Sequence, residues 1–446
     1  MLKKLTQIFG RNSDTPRQVS YIPVEEHGIP PQRIAGSAKK VIETLQNEGW
    51  EAYLVGGGVR DSLLGASPKD FDVATNATPE EVNRIFRRSR IIGRRFKIVH
   101  VRVGRELIEV TTFRGEHASN KGGHHASQNE KGVLVRDNVF GDLESDAKRR
   151  DFTVNALYYN PSTEEVIDFC NGFEDLRHKT LRIIGDPLAR YKEDPVRLLR
   201  AIRFKVKLGF DFDDATQAPI LEHADYLKEI PPARLFEEVL KLFLSGKAKQ
   251  VLHELHTYGL LEYLIPGAAQ VLDRGNEVEK RLLFQAAENT DKRIAENKRV
   301  TPAFIYAAFL WPALQEEIHL RKPESRSGAQ ELLFKASEAV IYEQQKYTSI
   351  PKRFQIPMKE IWSLQLRFER RDAKRAFALL EHPRFRAAYD FVLLREQAGE
   401  KLNGLGQWWT EFQFADREKQ LSMLEKKRSS RRRGPRKRSN RAPGNE

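Results

Sequence analysis

Residues Glu51–Thr78, EAYLVGGGVRDSLLGASPKDFDVATNAT, decide how this chain is read. Ala52–Val55 is a short apolar run of strand type. Gly56, Gly57 and Gly58 follow, and a turn without side chains lets backbone N–H groups approach a phosphate closely. Val59–Leu64 has the look of one or two helical turns, closed by Gly65. Arg60 and Asp61 sit at its start, where the helix dipole favours an anion. Lys69–Val73 alternates polar and apolar residues, as a half-buried strand does. That alternation predicts Asp70 and Asp72 on one face, about 6.6 Å apart along the strand. Two carboxylates at that reach suit one or two Mg²⁺ ions, hard cations that prefer oxygen, with Mn²⁺ as an alternative. Taken singly, a glycine-rich turn is usually only a turn, and Asp-x-Asp at a strand edge is usually solvated charge. In this order they describe a phosphate cradle facing a metal-binding pair of acids.

The 446 residues suffice for two to four domains, and an apolar fraction of 40% is ample for packed cores. The lone Cys170 excludes a disulfide framework and a cysteine-based zinc site, which fits a reducing cytoplasm. No apolar run reaches the length of a membrane span. The basic amphipathic start, MLKKLTQIFGRN, is compatible with contact at a membrane surface, but a frayed tail is the favoured reading. The net charge of +14 is concentrated at the other end, in Lys426, Lys427, Arg428, Arg431, Arg432, Arg433, Arg436, Lys437, Arg438 and Arg441. Glu446 is the only acid after residue 425, so 426–446 is expected to be a disordered basic tail that binds RNA. A solubilising or localisation tail is the blander alternative.

Along the chain, 1–31 reads as an extended lead-in and Gln32–Glu48 as a helix with Ile34, Ala38, Val41, Ile42 and Leu45 on one face. Pro79–Phe86 begins a helix capped by Thr78. Ile98–Val103 and Leu107–Phe113 form a hairpin about Gly104-Arg105-Glu106. In its second strand Glu109 faces away from Ile108 and Val110, as a third metal carboxylate or as a solvent-facing glutamate. Residues 114–138 form a long polar loop in which His117, His124 and His125 lack metal-ligand spacing. Glu144–Asn155 is expected to be largely helical, with Asp151 and Asn155 on one face. From Phe173 onward the pattern is helical, with long loops at Pro266–Glu277 and Arg321–Ser327. From Leu364 to Arg395, arginines mix with Phe368, Phe377, Phe385 and Tyr389. That mixture suits either a single-stranded RNA surface or an amphipathic helix pair with an aromatic core.

The GGGVRD, LLG and KDFDVAT segments resemble the head of the class II nucleotidyltransferases of the polymerase-β superfamily, which include bacterial poly(A) polymerases and CCA-adding tRNA enzymes. The likeness runs from about Tyr21 to the end of the chain. It implies an α+β fold: a small mixed-sheet nucleotidyltransferase head, then an all-α neck and body. The implied division is a catalytic head at 32–172, a base-recognition neck at 173–260, a helical RNA-binding body at 261–425 and the tail at 426–446. Residues 148–157, KRRDFTVNAL, match a family block that places Asp151 with Asp70 and Asp72 as catalytic acids. The same resemblance puts Gly57, Arg60, Arg150 and Asn155 at ATP. Residues 193–204, EDPVRLLRAIRF, match the next block and assign Asp194 and Arg197 to the edge of the incoming base, with Arg200 and Arg203 beside them. A carboxylate and a guanidinium complement adenine, and cytosine equally, so this pair cannot separate A from C. Ion pairing at a helix end and N-capping by Asp194 are the structural alternatives.

Residues 91–101, IIGRRFKIVHV, resemble the bacterial poly(A) polymerase branch. The branch implies a monomeric cytoplasmic transferase that adds AMP from ATP to RNA 3′ ends, alongside RNA-decay proteins. A CCA-adding enzyme, or an RNA-binding protein with an inactive head, is the alternative. Deleting Lys426–Glu446 is expected to weaken RNA affinity and to flatten its log–log salt dependence by roughly several units if most of the ten cations meet phosphates. The melting temperature should stay unchanged, and an unaltered salt slope would assign the tail another role.

Overall fold

The computed structural model describes residues 19–424 apart from 69, 94–96, 116–125, 129–133, 138 and 323–327. The basic tail, the three loop histidines and Lys69 therefore lie outside the described residues. The chain divides into two compact units. One runs to Pro266 and includes Tyr347–Ser349; the other holds Gly267–Lys346 and the chain from Ile350 onward.

The strands up to Asp168 are β1 (Ser20–Ile22), β2 (Ala52–Val55), β3 (Asp72–Thr75), β4 (Ser89–Ile92), β5 (Ile98–Val103), β6 (Glu106–Thr112), β7 (Ala126–Gln128), β8 (Leu134–Asp137), β9 (Leu157–Asn160) and β10 (Glu165–Asp168), and a short parallel pair, Thr180–Leu181 with Asp211–Phe212, follows them. In the first unit eight of them form one mixed sheet in the order β1-β10-β9-β2-β3-β6-β5-β4, while β7 and β8 pair separately. The lead-in thus contributes an edge strand. Within the eight-stranded sheet β3 and β6 pair in parallel, and their register sets Asp72 opposite Glu109. Along β6, Ile108, Val110 and Thr112 are buried while Glu109 and Thr111 are half-exposed, the two-residue period of a strand with one face in the core. The helix Gly36–Asn47 covers β2, β3 and β6 with its buried Ala38, Val41, Ile42 and Leu45. Thr78 caps Pro79–Ile85, as expected, and the structure adds a reciprocal bond with Glu81.

Three expectations are corrected. The expected helix Glu144–Asn155 is two pieces, Leu143–Arg149 and a single 3₁₀ turn, Thr153–Asn155. The break arises because the intervening backbone pairs with 182–184: Ile184 N donates to Asp151 O, and Thr153 N to Arg182 O. Pro266–Glu277 is largely helical, over Pro266–Arg274, with Ala268, Ala269, Val271 and Leu272 buried. Asp70 precedes β3 rather than lying within it: the strand begins at Asp72, three residues later than the sequence pattern places it.

The second unit is helical. Lys352–Phe368, Ala373–Leu380, Phe385–Ala398 and Leu405–Phe414 enclose a core of Leu364, Phe368, Phe385, Tyr389, Trp409 and Phe412. Of the two readings of Leu364–Arg395, the amphipathic one holds for Phe368, Phe385 and Tyr389: these rings are interior. The indole N–H of Trp409 is satisfied by the Phe368 carbonyl at 3.0 Å. Among the described residues no helix is long and apolar enough to cross a membrane. The fold is α+β, a mixed-sheet head followed by an almost wholly helical remainder.

Gly172 begins the helix Gly172–Arg177 against the 3₁₀ turn, where an added Cβ would lie 2.2 Å from the Thr153 carbonyl oxygen. Gly172→Ala is expected to destabilise the chain by about 1–3 kcal/mol through overpacking, read as a lowered melting temperature. An unchanged melt would contradict this packing.

Candidate active site

The glycine turn is built by its backbone. Gly56 holds φ 73° and ψ −131°, a region open only to glycine without strain. It is followed by the helix Gly57–Leu63, and a Cβ on Gly58 would press on the Phe71 ring at 3.2 Å and the Asp70 carbonyl at 3.4 Å. The turn is therefore in close contact with the backbone that carries Asp70 and Asp72. Two guanidiniums flank it: Arg150 Nη1 lies 3.5 Å from where a Gly56 Cβ would be, and Arg60 Nη2 lies 3.6 Å from that point on Gly57.

Asp70 is exposed and Asp72 half-buried, and neither has a recorded hydrogen bond or ion pair among the described residues. Burial, then the neighbouring Glu109 carboxylate, push the Asp72 carboxyl up to about 6, with Asp70 adding to the rise and Arg150 opposing it. Glu109 itself meets the cross-strand His100 at 3.2 Å. Among the described residues no group of three or more His, Cys, Asp or Glu is arranged to hold a metal ion. The donors present are a carboxylate pair with Glu109 alongside, all hard oxygens. Such a set fits Mg²⁺, which commonly takes one or two carboxylates and completes its shell with water and substrate phosphates.

Asp151 lies elsewhere in the network. Its Oδ2 accepts from Arg200 Nε at 2.6 Å, and its Oδ1 accepts from Phe152 N at 2.8 Å and Asn155 Nδ2 at 3.1 Å. Burial alone would raise its carboxyl, but Arg200 and the Asn155 bond outweigh it and hold it down to about 2. The sequence placed Asp151 and Asn155 on one helix face; the structure brings them together across a turn instead. Asn155 also accepts from buried Arg60, whose other partner is Asp61 at 2.6 Å. Asp61 in turn accepts from Lys207 at 3.0 Å. Arg60, Arg200 and Arg203 all stand 5.2–5.3 Å from the Phe204 ring centroid, three cations around one aromatic side chain. Arg150 bonds Asp146 at 3.0 Å and Tyr158 at 3.0 Å, which keeps its guanidinium charged and fixed.

The base-edge candidates are likewise held. Asp194 accepts from Arg234 at 2.9 Å and from Val196 N at 3.4 Å, so it also caps the helix Val196–Leu208. Arg197 Nη1 donates to Glu193 at 2.6 Å and to the Arg190 carbonyl at 2.8 Å. Arg190 Nη2 binds the Arg149 and Arg150 carbonyls at 2.6 and 2.7 Å, closing the end of the helix Leu143–Arg149. The supporting set Asp146, Tyr158, Glu193 and Arg234 was not given these roles from the sequence. Its members join positions up to 40 residues apart, as with Arg234 and Asp194, which no local pattern marks.

Comparison with known proteins finds chains similar to this one. The family model described as the Poly A polymerase head domain matches residues 52–182. A probable RNA and SrmB-binding site of polymerase A matches 209–272, and the polymerase A arginine-rich C-terminus matches 326–443. Poly(A) polymerase I of Escherichia coli O6:H1 is 45% identical over 436 residues, 96% of this chain and 94% of its own. A CCA-adding enzyme of Lactobacillus helveticus is 38% identical over 213 residues, 48% of this chain and 51% of its own. Among solved structures, a CCA-adding enzyme in apo form II shares the fold with a TM-score of 0.62 at 18% identity, over 89% of this chain and 87% of that one.

The Asp72 environment gives a pH expectation. A native carboxyl raised to about 6 keeps a proton that the unfolded chain has lost above about 4, so Asp72 subtracts stability as pH rises across that window. A carboxyl-carbon NMR titration should place its midpoint near 6, and Glu109→Gln should lower it by removing a like charge. A midpoint at the ordinary carboxylate value, indifferent to Glu109→Gln, would contradict the clustering.

Proposed function

We propose, because this chain belongs to the poly(A) polymerase I family, that it transfers AMP from ATP to the 3′-hydroxyl of RNA without a template and releases pyrophosphate. The observation that carries this reading is the extent of the likeness. It spans 96% of the chain at 45% identity for a poly(A) polymerase I, against 48% of the chain for a CCA-adding enzyme. The unpaired carboxylates beside the glycine turn, exposed Asp70 and half-buried Asp72, support an active head over an inert RNA-binding one.

In this reading Asp70 and Asp72 hold the divalent ions, with Glu109 setting the local field and Asp72 ionised for binding. Mg²⁺, when bound, supplies Lewis-acid chemistry: it lowers the pKa of the RNA 3′-hydroxyl and balances triphosphate charge. The turn at Gly57 and the flanking Arg60 and Arg150 receive the triphosphate, their guanidiniums already oriented by Asn155, Asp61, Asp146 and Tyr158. Asp151 acts through Arg200 and Asn155 rather than from the open acid pair, so it is a positioning residue. Arg200 and Arg203 add positive potential around Phe204. Asp194 and Arg197 present an acceptor and a donor to the adenine edge, oriented by Arg234 and Glu193. Exclusion of C must come from other parts of the pocket.

With an unstructured RNA primer the protein should add long runs of A from ATP, add C poorly and need no tRNA. Asp72→Ala should abolish addition and leave RNA affinity nearly intact. Assays with ATP, CTP and both, on an unstructured oligonucleotide and on a tRNA lacking its end, decide the reading. Addition of C, C and A to the tRNA, with no extension of the oligonucleotide, would establish the CCA-adding alternative instead.

A further inference from the structure

Outside the head, the second unit carries a cleft of about 420 Å³, within the roughly 300–1,000 Å³ range of small-molecule sites. It opens between the helices Glu277–Ala295, Pro302–Phe309 and Phe385–Ala398. One wall is apolar. Phe304 and Leu393 are half-buried there, and Phe304 is braced edge-on by buried Phe391, with ring centroids 5.9 Å apart. The rim is cationic. Arg386 Nε and Arg293 Nη1 share a single carboxylate, Asp390, at 3.0 and 3.8 Å. The Arg299 guanidinium has no recorded partner among the described residues, although its carbonyl accepts from Arg293 at 3.1 Å. The other two lining cations are neutralised by acids outside the cleft: Lys292 by Glu288 at 2.9 Å and Arg384 by Glu360 at 2.8 Å. Arg293, Arg299 and Arg386 thus face one acid, a local excess of positive charge next to a hydrophobic wall. Burial pushes the Asp390 carboxyl up against the pull of both arginines, as expected of a partly dehydrated floor.

A ligand matching these features has a planar apolar body on one side and a phosphate on the other. We infer that the cleft between these three helices binds a nucleoside phosphate, its ring against Phe304 and Leu393 and its phosphate toward Arg299 and Arg386. The ligand is either a nucleotide of the bound RNA upstream of its 3′ end or a free nucleotide. The first source rests on the reading that RNA is the acceptor, and it would anchor the strand away from the reacting end. The arginine–phosphate contacts, hydrogen bonds to a charged group, are expected to contribute about tenfold in affinity.

The test uses the full chain and the double variant Arg299→Ala/Arg386→Ala, with Arg299→Glu as a second variant; all these side chains are exposed, and melting temperature verifies folding. Oligoadenylates of increasing length are titrated by fluorescence anisotropy, and AMP alone is followed by hydrogen exchange over Arg384–Gln397. If the site takes RNA, the variants bind the longer oligoadenylates about tenfold more weakly and the shortest equally well. If it takes a free nucleotide, AMP slows exchange over that segment in the unmodified chain and not in the variants. Equal affinities at every length together with no AMP protection would overturn the inference. Absence of AMP transfer to any primer would count against the proposed function and leave the cleft measurement intact.

Discussion

A buried carboxylate must be paired, and Asp151 is paired to a helix that follows it by some forty residues. Its bond to Arg200 at 2.6 Å joins the end of the head segment to the helix Val196–Leu208. Removing either partner would strand a charge in a poorly hydrated place, at a cost of about 3–5 kcal/mol for a fully buried pair and less here, where a third of Arg200 is exposed. The same atoms continue outward. Asp151 binds Asn155, Asn155 binds Arg60, and Arg60 sits with Arg200 and Arg203 around Phe204. The glycine turn is thereby tied to the helix that also carries Asp194's neighbour Arg197. Because Asp151 is held down to about 2, the stability this bond contributes is fully present above about pH 4 and is lost as the pH falls through about 2.

The two kinds of acid in the head are treated in opposite ways. Asp146 and Asp151 are surrounded by donors and are low in pKa, the signature of structural carboxylates. Asp72 is half-buried beside like charges and is raised, so its charge is uncompensated by the protein alone. Polar groups that the fold leaves unsatisfied are where an external cation gains most, which is the physical basis for the proposal that Asp70 and Asp72, and not Asp151, hold the ion.

Much of the head was legible because its signals are local. The strand Ala52–Val55, the three-glycine turn, the Thr78 cap and the period of Glu106–Thr112 each depend on residues within a few positions of one another. What escaped depends on distant partners. The backbone of Asp151–Thr153 leaves the helix because it finds hydrogen bonds at 182–184, which no periodicity reveals. The Leu364–Arg395 stretch left two readings open because arginine–aromatic composition is the same for an RNA face and for an amphipathic core; only the Trp409 and Phe412 rings, contributed from farther along the chain, place Phe385 and Tyr389 inside. The parallel β3–β6 register, which sets Glu109 opposite Asp72, also required the sheet order.

The dependence of the head on the Asp151–Arg200 bond is open to direct measurement through a double-mutant cycle. Asp151→Asn, Arg200→Gln and the double variant are compared in ATP-dependent extension of an RNA primer. If the bond positions the glycine turn for the triphosphate, the double variant will be little worse than either single one, a coupling of about 1–3 kcal/mol. Losses that simply add would show that the two residues act independently and would contradict the network described here.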